Sequence, residues 1–286
     1  MSPCITFTVN TGKPDSGGIA TGGMYQVTIR FYEELNDFLP RHLRKGDIEY
    51  AFSGRRSIKD LIEHFGVPHV EVDLILVDGR SVDFGYIVKS GDRISVYPVF
   101  ESFSVDGLTR LRPSPLRDTR FVLDVHLRKL ARRLRLLGFD VDYRAGRDDP
   151  ELARIAQDEN RILLTRDRRL LMRRNVSRGI IIRSTDPDRQ IVEVLERLQL
   201  WSRCRPWTRC IECNGTLRGL DSQGEEFEAL QERIPPGVLS WCGEYYLCGS
   251  CGKVYWKGSH YEKLKRIVEH IMKDQGEAPH GERHPA

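Results

Sequence analysis

Long apolar runs are missing from this 286-residue chain: nowhere do hydrophobic residues approach the roughly 20 in a row that a membrane-spanning helix needs. A mean hydropathy of −0.44 and 30% charged residues instead describe a soluble globular protein with length for two or three domains. The first residues do not show the basic-then-apolar layout of a secretion signal, so the cytoplasm is the expected location. Charge of one sign is also scarce. The formal net charge is only +4, from 45 Lys and Arg against 41 Asp and Glu, too little to imply a polyanionic partner by itself. Internal repeats are absent. No cysteine lies between Cys4 and Cys204, and the other six crowd into residues 204–251 at spacings that read as metal binding rather than as a disulfide framework.

Residues 1–23 carry five glycines and few large apolar side chains, too little to offset the entropy of ordering, and are expected to be a disordered tail. From Met24 the pattern alternates, with Val27, Ile29 and Phe31 on one face of a strand. A helix over 57–65 follows, capped by Ser57, with Ile58, Leu61, Ile62 and Phe65 at helical spacing. Leu74 to Val77 with the Asp78-Gly79 turn reads as a hairpin corner, and Arg93 to Val99 as a closing strand. Residues 24–105 thus form a small α+β domain, and 106–118, with Gly107, Pro113 and Pro115, a linker.

Over 119–200 strands and helices alternate. Phe121-Val122-Leu123 leads into a helix with Leu127, Leu130, Ala131, Leu134 and Leu137 on one stripe. A helix begins near Asp149-Pro150, Ile162 to Thr165 is a strand, a short helix follows, Ile180 to Ile182 is a strand, and a helix covers 190–198. This order favours a mainly parallel sheet covered by helices. Residues 201–272 form a cysteine-bearing module, and 273–286 a second disordered tail.

Charge is unevenly shared among these regions. Lys and Arg number ten against thirteen Asp and Glu over 24–105, nineteen against thirteen over 119–200, and twelve against twelve over 201–286. The positive excess sits in the middle region, where Arg128, Lys129, Arg132, Arg133 and Arg135 lie off the leucine stripe and Arg166, Arg168, Arg169, Arg173 and Arg174 follow another strand. Such runs are either a solvated helix face or a footprint for a phosphate backbone, and charge alone favours neither. On the second reading Arg128, Lys129, Arg132, Arg166 and Arg168 are the candidate nucleic-acid contacts.

Three carboxylates occupy one kind of place: Asp124 directly after a strand, Asp167 just after the next and Asp186 shortly after the third. Parallel strands share their carboxyl edge and ligands bind there, so these acids are expected to converge. Asp148, Asp149 and Glu151, opening a helix, can approach the same edge. Gathered carboxylates repel one another, which makes sense around a hard divalent cation, Mg²⁺ or Mn²⁺. Ringed by arginines, that site suits phosphodiester cleavage, the metal deprotonating a water and offsetting charge on the phosphate. Singly, each acid has a plainer role as a helix cap: Asp148 with Glu151 as a capping box, Asp149 before Pro150, Asp186 before Pro187, and Asp124 and Asp167 at helix starts. Together at strand ends they point to a metal site.

Cys210-Ile211-Glu212-Cys213 and Cys248-Gly249-Ser250-Cys251 are two C-x-x-C pairs, each able to present two thiolates to one Zn²⁺. The 34 residues between them are more than a short zinc ribbon needs, so an insertion over 219–239 is expected. A closed set of four thiolates is structural and leaves no open coordination position. Cys204 and Cys242 fall outside the set. Nearby aromatics, Trp241, Tyr245, Tyr246, Tyr255, Trp256 and Tyr261, are expected mostly to build the core of a metal-stapled module, with base stacking as the other use.

Phe121-Val122-Leu123-Asp124, the basic helix ending Leu136-Leu137-Gly138-Phe139-Asp140, Asp148-Asp149-Pro150-Glu151-Leu152 and Ile162 to Asp167 resemble the Mut7-C family. So do Arg209 to Gly215 and Val254-Tyr255-Trp256-Lys257-Gly258-Ser259-His260-Tyr261. The resemblance covers about residues 119–262 and implies a PIN-like ribonuclease domain followed by a zinc ribbon, with Mg²⁺ or Mn²⁺ as cofactor. It places Asp124, Asp149 or its neighbours, Asp167 and Asp186 at the acidic positions. Arg128-Lys129 departs from the pattern, where a small residue such as Gly is expected soon after the first Asp. Residues 24–100 are similar to a ubiquitin-like β-grasp domain of the sulfur-carrier kind, on the strength of Leu76 to Gly79 and Val88 to Pro98. Sulfur carriers activate a free C-terminal Gly-Gly; here the strand continues into Pro98-Val99-Phe100, which leaves docking of a protein partner as the expected role. The leading expectation is a metal-dependent ribonuclease. A non-catalytic RNA-binding or ribosome-associated adaptor is the alternative, and a thiol oxidoreductase a third.

Overall fold

A computed structural model describes residues 24–98 and 119–273. The tail expected at 1–23, the linker at 106–118 and residues 274–286 of the second tail lie outside the described residues; Lys273 ends a helix instead. Two compact units organise the rest: 24–98 with 171–174, and 119–170 with 175–273. No helix among the described residues is long and apolar enough to cross a membrane.

The first unit contains β1 (Met24–Phe31), β2 (Ile48–Ser53), α1 (Ile58–His64), β3 (Val72–Val77), β4 (Arg80–Ser81) and β5 (Arg93–Pro98). Its sheet runs β2-β1-β5-β3-β4, with β1 and β5 parallel and the other pairs antiparallel. This mixed sheet with one helix is the β-grasp arrangement expected. Alternation in β1 sends Val27, Ile29 and Phe31 into the core. Ser57 caps α1 by accepting the Asp60 amide at 3.1 Å. Asp78 and Gly79 both have positive φ, 49° and 76°, as a two-residue hairpin turn requires between the paired Val77 and Arg80.

The second unit begins with β6 (Arg120–Leu123), α2 (Arg128–Leu136), β7 (Asp140–Asp142), α3 (Asp149–Asp158), β8 (Ile162–Thr165), α4 (Arg168–Leu171, whose last residue is counted with the first unit), β9 (Gly179–Ile181) and α5 (Pro187–Arg197). The sheet order is β7-β6-β8-β9, parallel throughout. Every residue of β8 is buried, as are Phe121, Val122 and Leu123, the continuous apolar reading of strands covered on both faces. The last helix starts at Pro187 rather than near 190, because Asp186 caps it and proline suits a first turn. The third strand is Gly179–Ile181, one residue earlier than its isoleucines imply.

The chain then forms β10 (Leu217–Leu220), α6 (Glu225–Glu228), α7 (Pro236–Leu239), β11 (Tyr245–Cys248), β12 (Val254–Trp256) and α8 (Ser259–Lys273). The three strands make an antiparallel ribbon in the order β10-β11-β12. The insertion between the cysteine pairs is not a bare loop. It sends Phe227 and Ile234 into a core with Leu220, Tyr245, Leu247 and Val254. Gly138, just after α2, lets the approach to the ribbon pass: its φ is +93°, and a Cβ there would lie 2.2 Å from the Arg205 carbonyl oxygen.

Candidate acidic edge and metal centre

Parallel pairing brings the carboxyl ends of β6, β8 and β9 to one edge, and Asp124, Asp167 and Asp186 follow those ends. Asp124 is buried, only 7% exposed. One of its oxygens accepts the His126 amide at 3.2 Å, capping the turn Val125–Leu127, and the other accepts the Thr165 hydroxyl at 2.7 Å. Thr165 is fully buried at the end of β8, and its Oγ1 also accepts the Asp167 amide at 2.9 Å. One hydroxyl therefore ties two of the acidic positions together. The strand ends are fixed by backbone bonds from Asp124 to Leu164 and from Ile182 to Thr165.

Asp167, Asp186 and Asp148 act as caps. Asp167, exposed, accepts the Arg169 amide at 2.7 Å, and Asp186, exposed, accepts the Asp188 amide at 2.9 Å. Asp148, not Asp149, caps α3, accepting the Glu151 amide at 2.9 Å, while Asp149 is the first helical residue and half-buried. Each carboxylate is drawn to an amide two or three residues ahead, which keeps it at its own helix start. The expected convergence is accordingly looser than a ligand shell. Among the described residues, the one group of three or more His, Cys, Asp or Glu side chains close enough to hold a metal is the cysteine quartet. A closed carboxylate cage does not fit the acidic edge; a hydrated divalent ion reached through one or two carboxylates does, since each accepting carboxylate keeps lone pairs in reserve.

Arg128, Lys129, Arg166 and Arg168 are exposed near this edge. Arg132 is not simply a surface cation. Its guanidinium forks onto Glu212 of the first cysteine knuckle, at 3.0 and 3.2 Å, because that carboxylate faces α2 and matches the planar fork. Arg135, also read from the sequence as part of a charged face, is buried. It donates to the carbonyls of Val141 at 2.9 Å, Ile211 at 3.3 Å and Glu212 at 2.6 Å; burial pushes its pKa down, against the pull of Asp142 and Cys213.

Cys210, Cys213, Cys248 and Cys251 place their sulfurs within 4.8 Å of one another. Cys210 Sγ lies 3.8 Å from Cys251 Sγ and Cys213 Sγ 3.4 Å from Cys248 Sγ. A tetrahedral zinc with bonds of about 2.3 Å spaces its sulfurs about 3.8 Å apart, so the quartet fits that ion. Asn214 takes a positive φ of 71°, and a Cβ at Gly215 would come 2.8 Å from Cys248 Sγ, so the knuckle needs glycine there. Burial pushes the Cys213 thiol up to about 12. At Cys248 burial also works upward, but the Cys251 and Ser250 amides turned toward the sulfur prevail and bring it down to about 7. Packed thiols of this kind shed their protons together only when a cation compensates them. Cys204 is buried near the Leu200 carbonyl, its thiol pushed up to about 11 by burial, and Cys242 turns to the Glu244 carbonyl; neither joins the quartet.

The quartet is braced against the parallel sheet. Asn214 accepts the Val141 amide at 2.9 Å, satisfying the edge strand β7, and donates to Asp140 at 3.0 Å. Asp140 also takes Arg161 at 2.7 Å and Arg209 at 3.3 Å. Burial alone would raise its pKa, but the bonds from Arg161 and Asn214 and the charges of Arg161 and Arg209 hold it below the ordinary carboxylate value. Sequence reasoning did not single out Thr165 or Asn214, and it read Arg135 as part of a charged face rather than as a buried brace. The signal for Thr165 was a polar residue closing an otherwise apolar strand; for the other two there was none, since their partners are distant in sequence.

The second unit is thus a parallel α/β sheet with acids after its strand ends, braced to a ribbon whose four cysteines could hold zinc. The chain belongs to the Mut7-C RNase domain family, whose model matches residues 119–268. The Mut7-C ubiquitin model matches residues 24–104, ahead of it. No curated protein matches the chain.

Proposed function

We propose that the protein is a metal-dependent ribonuclease whose working edge is built on Asp124 and Asp167. The observation that carries this is the buried Asp124 carboxylate, held by the Thr165 hydroxyl that also receives the Asp167 amide. A carboxylate buried at the end of a central strand, and oriented from a neighbouring strand, is a costly arrangement for a cap alone. Mg²⁺ or Mn²⁺ bound there supplies an acidified water and offsets charge on the scissile phosphate. Asp124 and Asp167 are the residues to hold it, with Asp149 and Asp186 at the periphery. Exposed Arg128, Lys129, Arg166 and Arg168 take the phosphate backbone. Cys210, Cys213, Cys248 and Cys251 hold a structural Zn²⁺, and the ubiquitin-like unit docks a protein partner.

Incubation with Mn²⁺ over a panel of labelled RNAs tests the reading. Cleavage is expected, and loss of it in Asp124→Asn and Asp167→Asn with zinc content retained. A second reading, a non-catalytic RNA-binding adaptor, is favoured by the capping bonds that already occupy Asp148, Asp167 and Asp186. It stands if RNA binds without being cut; cleavage that both substitutions leave unchanged instead removes Asp124 and Asp167 from the reaction. Stoichiometric zinc by elemental analysis removes a thiol oxidoreductase from consideration.

A further inference from the structure

Within the second unit a cavity of about 650 Å³ lies among α2, the cysteine ribbon and the start of α8. Five aromatic side chains, Trp207, Tyr246, Tyr255, Trp256 and Tyr261, line it, and all five are half-buried rather than sealed in a core. Trp207 and Tyr261 face each other with ring centroids 4.7 Å apart. The charged lining is lopsided: Arg132, Arg209, Lys253 and Lys257 against Glu212 alone, counting Lys, Arg, Asp and Glu. These cations are held in position. Glu212 takes Arg132 at 3.0 Å and Lys253 at 3.7 Å, Asp140 takes Arg209 at 3.3 Å, and Glu244 takes Lys257. Lys253 also sits 5.6 Å over the Tyr255 ring.

Partly open π faces beside fixed cations suit a base together with its phosphate, because stacking tolerates any base and the cations follow the backbone. A neutral apolar ligand would make no use of the cations that Glu212, Asp140 and Glu244 fix at the wall, and a duplex offers no unstacked base. The place is also suitable. Asp124 precedes α2, while Arg132 and Leu136 of the same helix line the cavity, roughly 6 to 12 Å along the axis beyond Arg128. We propose that this cavity is a subsite for an unpaired nucleotide of single-stranded RNA, positioning the strand along α2 toward the acidic edge. The inference rests on RNA being the substrate.

The test uses the full-length, zinc-loaded chain with no Mg²⁺ or Mn²⁺ added, so that binding is read without cutting. A fluorescent single-stranded RNA octamer is expected to bind and to quench tryptophan emission, and an octamer of the same length with its bases removed to bind about ten-fold more weakly. Tyr246→Ala and Trp207→Leu are each expected to weaken the intact octamer about ten-fold, with zinc content and melting temperature as the check on folding. Equal binding of the intact and abasic octamers overturns the proposal, and that comparison needs no variant. Unchanged affinity in both folded variants overturns it as well. The nuclease reading fails separately: octamer binding that persists while Mn²⁺-dependent cleavage is absent keeps the subsite and removes the enzyme, and cleavage without base-dependent binding does the reverse.

Discussion

Replacing Thr165 by valine keeps the shape of a fully buried side chain but removes the hydroxyl that donates to Asp124 and receives the Asp167 amide. A buried carboxylate oxygen then lacks its donor, at a cost of about 1–3 kcal/mol, and the carboxylate loses its orientation. Thr165→Val is expected to lower melting temperature and cleavage together, while Thr165→Ser retains most of both. Full cleavage by a stable Thr165→Val protein would remove Thr165 from the site. Asp140 belongs to the same scale and carries a pH signature. Its pKa is lower in the folded chain than unfolded, so its stabilisation is present above the unfolded value and lost as pH falls through the folded one. Unfolding measured against pH should therefore show stability falling below about pH 4, and Asp140→Asn should flatten that limb. An unchanged limb would mean that the contacts of Asp140 with Arg161, Arg209 and Asn214 contribute nothing net.

The ribbon has a core of only six buried side chains, which makes its strands depend on the cysteine quartet. Chelation is expected to unfold β10, β11 and β12, shifting tryptophan emission, with recovery on zinc addition. Gly215→Ala should weaken zinc retention, since the new methyl would meet Ser250 Oγ at 2.4 Å and Cys248 Sγ at 2.8 Å. A ribbon whose emission is indifferent to chelation would stand on its apolar core alone. Much at this scale was legible from the sequence: the Ser57 cap, the Asp78-Gly79 turn, the continuous apolar strands and the spacing of the two cysteine pairs are local patterns, and local patterns are what a sequence displays. The acids were legible as residues but not as roles, because a carboxylate after a strand both caps the next helix and faces the ligand edge, and only Asp124 departs from the rest by burial and by its bond to Thr165. Partners far apart in the chain could not be read at all. The face of α2 bearing Arg132 and Arg135 was evident, yet Glu212 and the Ile211 carbonyl, which engage them, come from a knuckle some 80 positions on.

For the molecule as a whole, the small net charge conceals a positive middle region, and the fold in turn uses up much of that excess. Arg132, Arg133, Arg147, Arg154, Arg161 and Arg197 are paired with acids, and Arg135 is buried among carbonyls. A count of cations along the sequence therefore overstates what a polyanion would meet, and exposed Arg128 and Lys129 become the informative pair. If each neutralises one phosphate of a single strand, each contributes about 0.7 to the slope of log affinity against log salt. Arg128→Gln with Lys129→Gln is then expected to reduce that slope by about 1.4, with melting temperature unchanged. Arg147→Gln, which breaks contacts to Asp142 and Glu151, should lower the melting temperature and leave the slope alone. A slope indifferent to Arg128 and Lys129 but reduced by Lys253→Gln would instead route the phosphate backbone along the ribbon, away from the start of α2.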